Sequence, residues 1–293
     1  MSHSTLSQLA RQEKTRREIL HKSDLIPPLP DLVARLLGLL NRQETEPHDL
    51  EQLLQNDQVL VAKMLAMVNS PFYGLNRTIR TIKEAVMVLG FRGVRSLVLA
   101  TSTAKFLQRD YSWYGHEPKG LWLHAVCVAA GSRGLARRVG MTADEAEHLF
   151  VDGLLHDIGK LLLVPYLADQ PKRPDGGPPI AELEKRALGM DHSEAGGLVA
   201  AKWHLAADVQ EVVAAHHRTS GGDGSRSVAV VRLADAVAHE LGTGYLAGKA
   251  PAADAQAGDL AALGLDEGAW TALRDELAQT MEEAVLALGD LGS

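Results

Sequence analysis

Cysteine and aromatic residues are scarce in this sequence. Cys127 is the single cysteine in 293 residues, which excludes an intrachain disulfide and favours a reducing compartment. Phe, Trp and Tyr together make up 4% of the chain, whereas hydrophobic residues in total make up 46%. Leu, Ala and Val must therefore fill most of the core. Because Ala and Leu are strong helix formers, this composition favours helices.

Signals for a membrane or for secretion are also missing. We find no apolar run that approaches the roughly 18 residues needed to span a bilayer. The N-terminal segment MSHSTLSQLARQEKTRREIL is too polar for the apolar part of a signal peptide. The formal net charge of −7 disfavours bulk binding of nucleic acid, which requires a positive surface. We therefore expect a cytoplasmic protein without a membrane span.

Apolar residues recur at helical spacing over most of the chain, including a C-terminal segment from about 266 to 288. Thr81 and Glu84 have the Thr-x-x-Glu spacing of a helix capping box, and Gly90 is placed to end that helix. Sustained period-two alternation and Asn-Gly hairpin turns, which would indicate strands, are absent from the sequence. We predict an all-α protein in two packed helical halves, with a boundary near residues 105–120.

The most informative chemical feature is the doublet His156-Asp157 in LLHDIGK. Adjacent side chains on a helix do not face each other, so the doublet serves one metal only if further ligands arrive from other helices. The candidates for those ligands are His124 upstream and His192, His216, His217 and Asp235 downstream. Imidazole and carboxylate together suit a divalent ion of iron, manganese or zinc.

Two interpretations of these residues stay open. A His/Asp metal site with an open position would lower the pKa of bound water for phosphoester hydrolysis, and Lys160 would then hold a phosphate or donate a proton. Alternatively, a lone histidine in an apolar helix is more often a buried structural residue, which is the interpretation for His124 taken alone. The remaining histidines, among them His116, His148, His204 and His239, are interpreted as surface or structural residues.

A second feature is basic. Five cations lie close together on either side of one predicted helix, namely Arg77, Arg80, Lys83, Arg92 and Arg95. Such a patch would receive a phosphate or an acidic partner; the alternative is a solvated face with local salt bridges. Motifs for Ser/His/Asp or Cys/His catalysis, P-loops and dinucleotide-binding loops are absent from the sequence.

Two stretches of the sequence resemble a known family. The first contains PPLPDLVARLLGLL and, after a second helical segment, NSPFYG followed by I-x-x-A-V-x-x-LG; the second contains LLHDIGKLLL, DHSEAGG and AAHHR. Together they resemble the HDOD domain, an output domain of bacterial signalling proteins that is related to HD hydrolases, over about residues 20 to 240. The resemblance implies an N-terminal helical bundle packed on an HD-like helical bundle.

The resemblance also implies boundaries and ligands. The implied regions are a polar N-terminal tail or helix (1–24), an HDOD N-terminal subdomain (25–112), an HD-like subdomain (113–245) and a C-terminal helical extension (246–293). The HD-superfamily pattern H…HD…D falls on His124, His156, Asp157 and Asp235, and the further histidines of dinuclear members fall on His192, His216 and His217. Lys160 matches the lysine of the HDxGK motif found in the HD-GYP phosphodiesterases.

In function, the resemblance implies a regulatory scaffold that contacts other signalling proteins, and a homodimer is a reasonable state. Two alternatives stay open: a metal-dependent phosphohydrolase acting on a nucleotide or cyclic nucleotide, and a nucleotide-binding receptor without turnover. The HD-GYP phosphodiesterases continue their His-His pair into a Glu and a GYP tripeptide, whereas here AAHHR leads into TSGGDGSRS. This departure disfavours hydrolysis of cyclic-di-GMP.

Overall fold

The computed structural model describes residues 3–22, 26, 28–40, 45–54, 57–171, 177–218, 225–246 and 257–292. Within these ranges the chain forms helices, turns and loops without a β-strand, and one isolated antiparallel bridge joins His116 and Tyr245. The all-α prediction is confirmed.

The described helices follow one another along the chain. The N-terminal half contains α1 (His3–Lys22), α2 (Asp31–Leu40), α3 (Pro47–Leu54), α4 (Gln58–Val68) and α5 (Ile82–Leu107). The second half contains α6 (Gly120–Arg138), α7 (Ala143–Leu155), α8 (Lys160–Leu167), α9 (Ile180–Leu188), α10 (His192–Lys202), α11 (Ala207–Ala215) and α12 (Arg226–Leu241), after which come α13 (Ala257–Ala262) and α14 (Glu267–Leu288). The connection between α5 and α6 lies within the boundary expected near residues 105–120.

The N-terminal segment forms a helix that docks on the second half. Helix α1 contacts α9, the side chain of Ile19 is fully buried, and the Gln12 side-chain amide donates to the carbonyl of Arg186 at 2.6 Å. The described part of this segment is therefore attached to the fold, although its composition is polar.

Helix α5 is the longest of the described helices and joins the two halves. The Thr81 hydroxyl accepts from the Glu84 backbone N–H at 3.1 Å, as the capping-box spacing predicts, and Gly90 interrupts the helix with φ 70° and ψ 175°. By length and composition this helix could cross a membrane, which corrects the expectation that no apolar segment approaches that length. Of its most apolar window, 56% is buried inside the protein, as is typical of a core helix.

The helices of the second half pack around α6. Helix α6 contacts α7, α12 and α14, and the apolar cluster between them includes the buried side chains of Leu233, Trp270, Leu277 and Met281. The predicted C-terminal helix is confirmed, and its buried positions follow the apolar periodicity read from the sequence. This packing fixes α6, α7 and α12 as the frame on which the candidate ligands stand.

Candidate metal centre

Five helices deliver the side chains that the sequence suggested as metal ligands. His124 lies in α6, His156 and Asp157 follow the end of α7, His192 opens α10, His216 and His217 follow α11, and Asp235 lies in α12. His217 is exposed, whereas the other six are buried. The structure thus brings all seven residues together in one cluster.

Asp157 lies at the centre of this cluster. Its Oδ2 atom is 3.3 Å from His156 Nε2 and 3.7 Å from His124 Nε2. Its Oδ1 atom is 3.1 Å from His192 Nε2 and 3.9 Å from His216 Nε2. Each carboxylate oxygen therefore faces a different pair of imidazoles, which is the arrangement of a carboxylate between two ligand groups.

The remaining ligand candidates complete two groups. Asp235 Oδ1 is 3.1 Å from His124 Nε2 and 3.6 Å from His156 Nε2, and His217 Nε2 is 2.7 Å from His192 Nε2. Within each group the ligand atoms lie within 4.8 Å of one another; the groups are Asp157, His192, His216 and His217, and His124, His156 and Asp235. Each group is compact enough for its atoms to surround one ion.

Several ligand atoms of the cluster are buried without an aligned hydrogen bond, although His124 Nε2 and Asp235 Oδ1 lie 3.1 Å apart. Both ring nitrogens of His124, the Nε2 atom of His216 and the Oδ1 atom of Asp235 have no aligned partner. His216 Nδ1 lies 2.8 Å from the carbonyl of Val213; because a carbonyl only accepts, Nδ1 carries the proton and Nε2 presents a lone pair to the cluster. Leaving such atoms unpaired costs about 1–3 kcal/mol each, and a metal ion would satisfy them together.

The electrostatics of the cluster favour an ionised carboxylate, a neutral ring at His216 and a protonated ring at His192. Although burial acts to raise it, the pKa of Asp157 is held well below its usual range by Lys160 and by the nearby histidines. Burial lowers the pKa of His216 to about 3. For His192 burial acts in the same direction, but the carboxylates of Glu184 and Asp157 raise its pKa to about 10, so metal binding at that ring would release a proton.

Glu184 supports the cluster, although the sequence did not single it out. Its Oε2 atom accepts from the backbone N–H of His192 at 2.9 Å and lies 2.6 Å from His192 Nδ1, while the Tyr114 hydroxyl donates to its Oε1 atom at 2.7 Å. Carboxylates commonly orient metal-binding histidines in this way. Glu184 therefore fixes the ring of His192 so that Nε2 points to Asp157.

His116 and His239 are also part of the centre. The His239 ring stacks on His124 with centroids 5.1 Å apart, and its Nε2 atom is 3.5 Å from Asp235 Oδ1. The His116 ring is buried, and its Nδ1 atom lies 3.1 Å from the carbonyl of Gly244. Both histidines belong to the structure around the cluster and not to the surface.

The two other histidines interpreted as surface or structural residues lie outside the cluster. His204 is exposed. His148 is half-buried on α7, where its Nε2 atom is 2.7 Å from Arg92 Nη1.

Lys160 is buried in the cluster and does not face open solvent. It is 2% exposed, and its Nζ atom donates to Asp157 Oδ2 at 2.5 Å. The preceding Gly159 allows the HDIG turn to touch the start of α10, because a Cβ atom there would lie 1.9 Å from the carbonyl oxygen of His192. The glycine of this motif thereby sets the distance between Asp157 and His192.

The four arginines predicted as a phosphate or partner site are placed in two settings. Arg77 and Arg80 are exposed in the turn before α5. Arg92 lies beyond the interruption of α5 and contacts α7, with its Nε atom 3.2 Å from Asp144 Oδ2. Arg95 is half-buried on the same segment. The charge of Arg92 is thus already used in a contact within the chain.

Comparisons with known proteins agree with this architecture. The HDOD domain model matches residues 26–219. A protein of Treponema pallidum (strain Nichols) is 27% identical over 212 residues, which is 70% of this chain and 40% of that protein. The chain thus spans about two fifths of the length of this curated relative.

Two solved structures show the same fold. An HDOD domain protein of Geobacter sulfurreducens is 24% identical, with a TM-score of 0.73 over 97% of this chain and 99% of that one. A Shewanella amazonensis SB2B protein, proposed to be a phosphohydrolase, is 25% identical, with a TM-score of 0.69 over 92% of this chain and 97% of that one. With two thirds of its length matched by the family model, the chain belongs to the HDOD domain family.

Proposed function

We propose that this chain is a regulatory protein of bacterial signal transduction that holds a divalent metal ion in its His/Asp cluster and acts in the cytoplasm by contacts with other signalling proteins. The observation that carries the proposal is the buried set of ligand atoms on His124, His216 and Asp235 that lie around Asp157 without an aligned hydrogen bond. Imidazole with carboxylate suits iron, manganese or zinc. A bound ion would link α6, α10, α11 and α12, and so couple metal binding to the folded arrangement of these helices.

The burial of the cluster supports a structural or regulatory ion over a catalytic one. Structural metal sites are closed, whereas catalytic sites keep a position open for water or substrate. His124 is 0% exposed, and His156 and His192 are each 1% exposed. The one lysine that would serve a substrate phosphate is bonded to Asp157. These features favour an ion that holds helices in place.

A metal-dependent phosphohydrolase is the second candidate. Asp157 turns one oxygen toward each ligand group, and two metal ions bridged in this way stabilise phosphoryl transfer in many enzymes. His217 gives one group an exposed member. One similar structure, that of the Shewanella amazonensis protein, is described as a proposed phosphohydrolase.

A thermal-shift experiment tests the metal site. The wild type, His156→Ala and the control His148→Ala are stripped with a chelator and then supplied separately with Mn²⁺, Fe²⁺ or Zn²⁺. His148 is the matched control because it lies on α7 but contacts Arg92 and not the cluster. We expect one of the ions to raise the melting temperature of the wild type and of His148→Ala, with no rise for His156→Ala. Equal rises in all three proteins would contradict the proposal.

An assay of turnover separates the two candidates. Each reloaded protein is given bis(p-nitrophenyl) phosphate and a panel of nucleotides and cyclic nucleotides. We expect no metal-dependent hydrolysis. Hydrolysis that is present in the wild type and absent in His156→Ala would replace the regulatory proposal with the phosphohydrolase. Nucleotide binding without hydrolysis would favour a receptor.

A further inference from the structure

A pocket lies where the N-terminal half, α6 and α14 meet. Its volume is about 430 Å³, and its lining includes Phe72, Arg133, Arg137, Thr280, Glu283 and Leu286. This volume is within the range of about 300–1,000 Å³ found for small-molecule sites. The lining contains none of the candidate metal ligands. It does contain Phe72 of the NSPFYG motif, which the proposed metal centre does not use.

Two arginines in this pocket share a single carboxylate. Arg133 Nη1 and Arg137 Nη2 each lie 3.4 Å from the same Glu147 Oε1 atom, whereas charge-assisted hydrogen bonds are usually about 2.7–2.9 Å long. Burial lowers the pKa of Arg137, and the neighbouring Arg133 acts in the same direction. The two guanidinium groups therefore carry more positive charge than Glu147 neutralises.

The buried arginine is surrounded by aromatic rings. Arg133 is 6% exposed, and its guanidinium carbon lies 3.9 Å from the ring centroid of Phe72 and 5.1 Å from that of Tyr73. The Tyr73 hydroxyl is buried beside Arg133, and the second oxygen of Glu147 is buried without an aligned hydrogen bond. The two guanidinium groups carry ten N–H donors, whereas the Glu147 carboxylate offers about four lone pairs, so the donors of this group exceed its acceptors.

The mouth of the pocket is apolar on one side. Leu286 is 85% exposed there, and it faces the same cavity as Phe72. Glu283 lies at the rim, where it is exposed and its Oε1 atom accepts from the Gln279 side-chain amide at 3.1 Å. The two arginines therefore lie in the interior of the pocket, the Glu283 carboxylate lies at its rim, and apolar surface extends to its entrance.

We propose that this pocket binds a small organic anion, a carboxylate or a phosphate ester with a flat apolar body. Arg133 and Arg137 hold the anionic group, and Phe72 and Leu286 contact the apolar body. The ligand contacts the N-terminal half, α6 and α14 together. Because a ligand of the folded state stabilises it, binding strengthens the junction of these three parts.

Amide chemical-shift mapping on the full ¹⁵N-labelled chain tests the proposal. The probes are phenyl phosphate and benzoate, which separate a phosphate ligand from a carboxylate ligand; inorganic phosphate and benzyl alcohol carry only the anion or only the ring. We expect saturable shifts at Gly134 with at least one of the two aromatic anions. Inorganic phosphate and benzyl alcohol should bind at least about tenfold more weakly. Shifts confined to the HDIG turn at Gly159 would place the ligand at the metal centre and overturn the proposal.

Two variants sharpen this test. Arg137→Met removes a charge that is half exposed at the pocket, and Arg138→Met removes the next arginine along α6, which pairs with Glu276. Since Arg137→Met removes a charge-assisted hydrogen bond to the anion, we expect it to bind the probe about tenfold or more weakly, and we expect Arg138→Met to bind like the wild type. The proposal would be contradicted if the wild type did not bind at about 10 mM probe, which corresponds to a binding free energy near 3 kcal/mol. Equal binding by the two variants would also contradict it.

Discussion

The two halves of this protein differ in the kinds of polar side chain that they bury. Up to Leu107, the buried polar side chains among the described residues are all hydroxyl groups, those of Ser70, Ser96, Thr101, Ser102 and Thr103. From His116 onward, the buried set contains imidazoles, carboxylates, a lysine and arginines. The first half is thus held by apolar packing, and the second encloses ionisable groups.

The difference also concerns how buried polar atoms are satisfied. In α5, the hydroxyls of Thr101, Ser102 and Thr103 donate to carbonyls one turn earlier at 2.8, 2.6 and 2.7 Å. The Ser70 and Tyr73 hydroxyls of the first half are buried without an aligned partner. In the second half, the atoms without one include imidazole nitrogens of His124 and His216 and a carboxylate oxygen of Asp235, which lie together in one cluster. Because buried polar atoms are normally hydrogen-bonded, the comparison teaches that the second half is built around something additional, which we infer to be a metal ion.

The largest expected effect comes from removing the central carboxylate. Asp157→Asn leaves Lys160 buried without its anion, and breaking such a pair destabilises by about 3–5 kcal/mol. Urea unfolding measures this loss. The control is Asp169→Asn, an exposed aspartate for which we expect a change within about 0.5 kcal/mol. Equal stability of the two variants would show that the ion pair of Asp157 with Lys160 does not stabilise the fold.

The next effect tests the apolar half. Leu36 is 0% exposed, so Leu36→Ala should cost about 2–5 kcal/mol through lost burial and a cavity. The cost should be the same in metal-loaded and in chelator-treated protein, since Leu36 lies in the half without candidate ligands. Unfolding curves under both conditions measure it. A cost that changes with metal would mean that the two halves are not held independently.

A smaller effect is expected from the residue behind His192. Glu184→Gln keeps the shape of the side chain but weakens its hold on the His192 ring, and substitutions of this kind lower metal affinity about 10–100-fold. Competition with a metal-sensitive dye measures the affinity. Glu182→Gln is the control, because Glu182 is exposed on the same helix and pairs with Arg186. Unchanged affinity in Glu184→Gln would remove Glu184 from the centre.

The smallest effect concerns a buried aspartate outside the cluster. Burial and the nearby Asp208 raise the pKa of Asp152 well above its usual 3.8, against the opposing effect of Arg95. Its stabilising contribution is therefore complete below pH 3.8 and is lost as pH rises toward the raised pKa. Relative to the wild type, the free energy of unfolding of Asp152→Asn should rise by about 1–3 kcal/mol between pH 5 and pH 8. A difference in unfolding free energy that stays constant with pH would contradict this.

Local patterns predicted the fold because they involve neighbours in the chain. The pair Thr81 and Glu84 signals a helix start through a contact between residues three positions apart, and the structure contains that contact. The His156-Asp157 doublet was equally visible, since adjacency in the sequence is itself the signal. The five further candidates were chosen by residue type around this doublet and then matched to the family pattern, and the structure brings all seven residues together.

The supporting residues could not be predicted in the same way. Glu184 is separated from His192 by the turn between α9 and α10, and only the folded turn brings the two together. His116 reaches the centre through its bridge with Tyr245, a contact between distant segments. His239 did carry a signal, because it lies four residues after Asp235 on the same face of α12.

The metal content of the purified protein tests the central claim most directly. Elemental mass spectrometry is applied to wild type and to a His156→Ala/Asp157→Ala variant, both purified anaerobically with metal supplied. We expect near-stoichiometric iron, manganese or zinc in the wild type and its loss in the variant. A wild-type protein without bound metal under these conditions, with a folded HD-like half, would contradict the account.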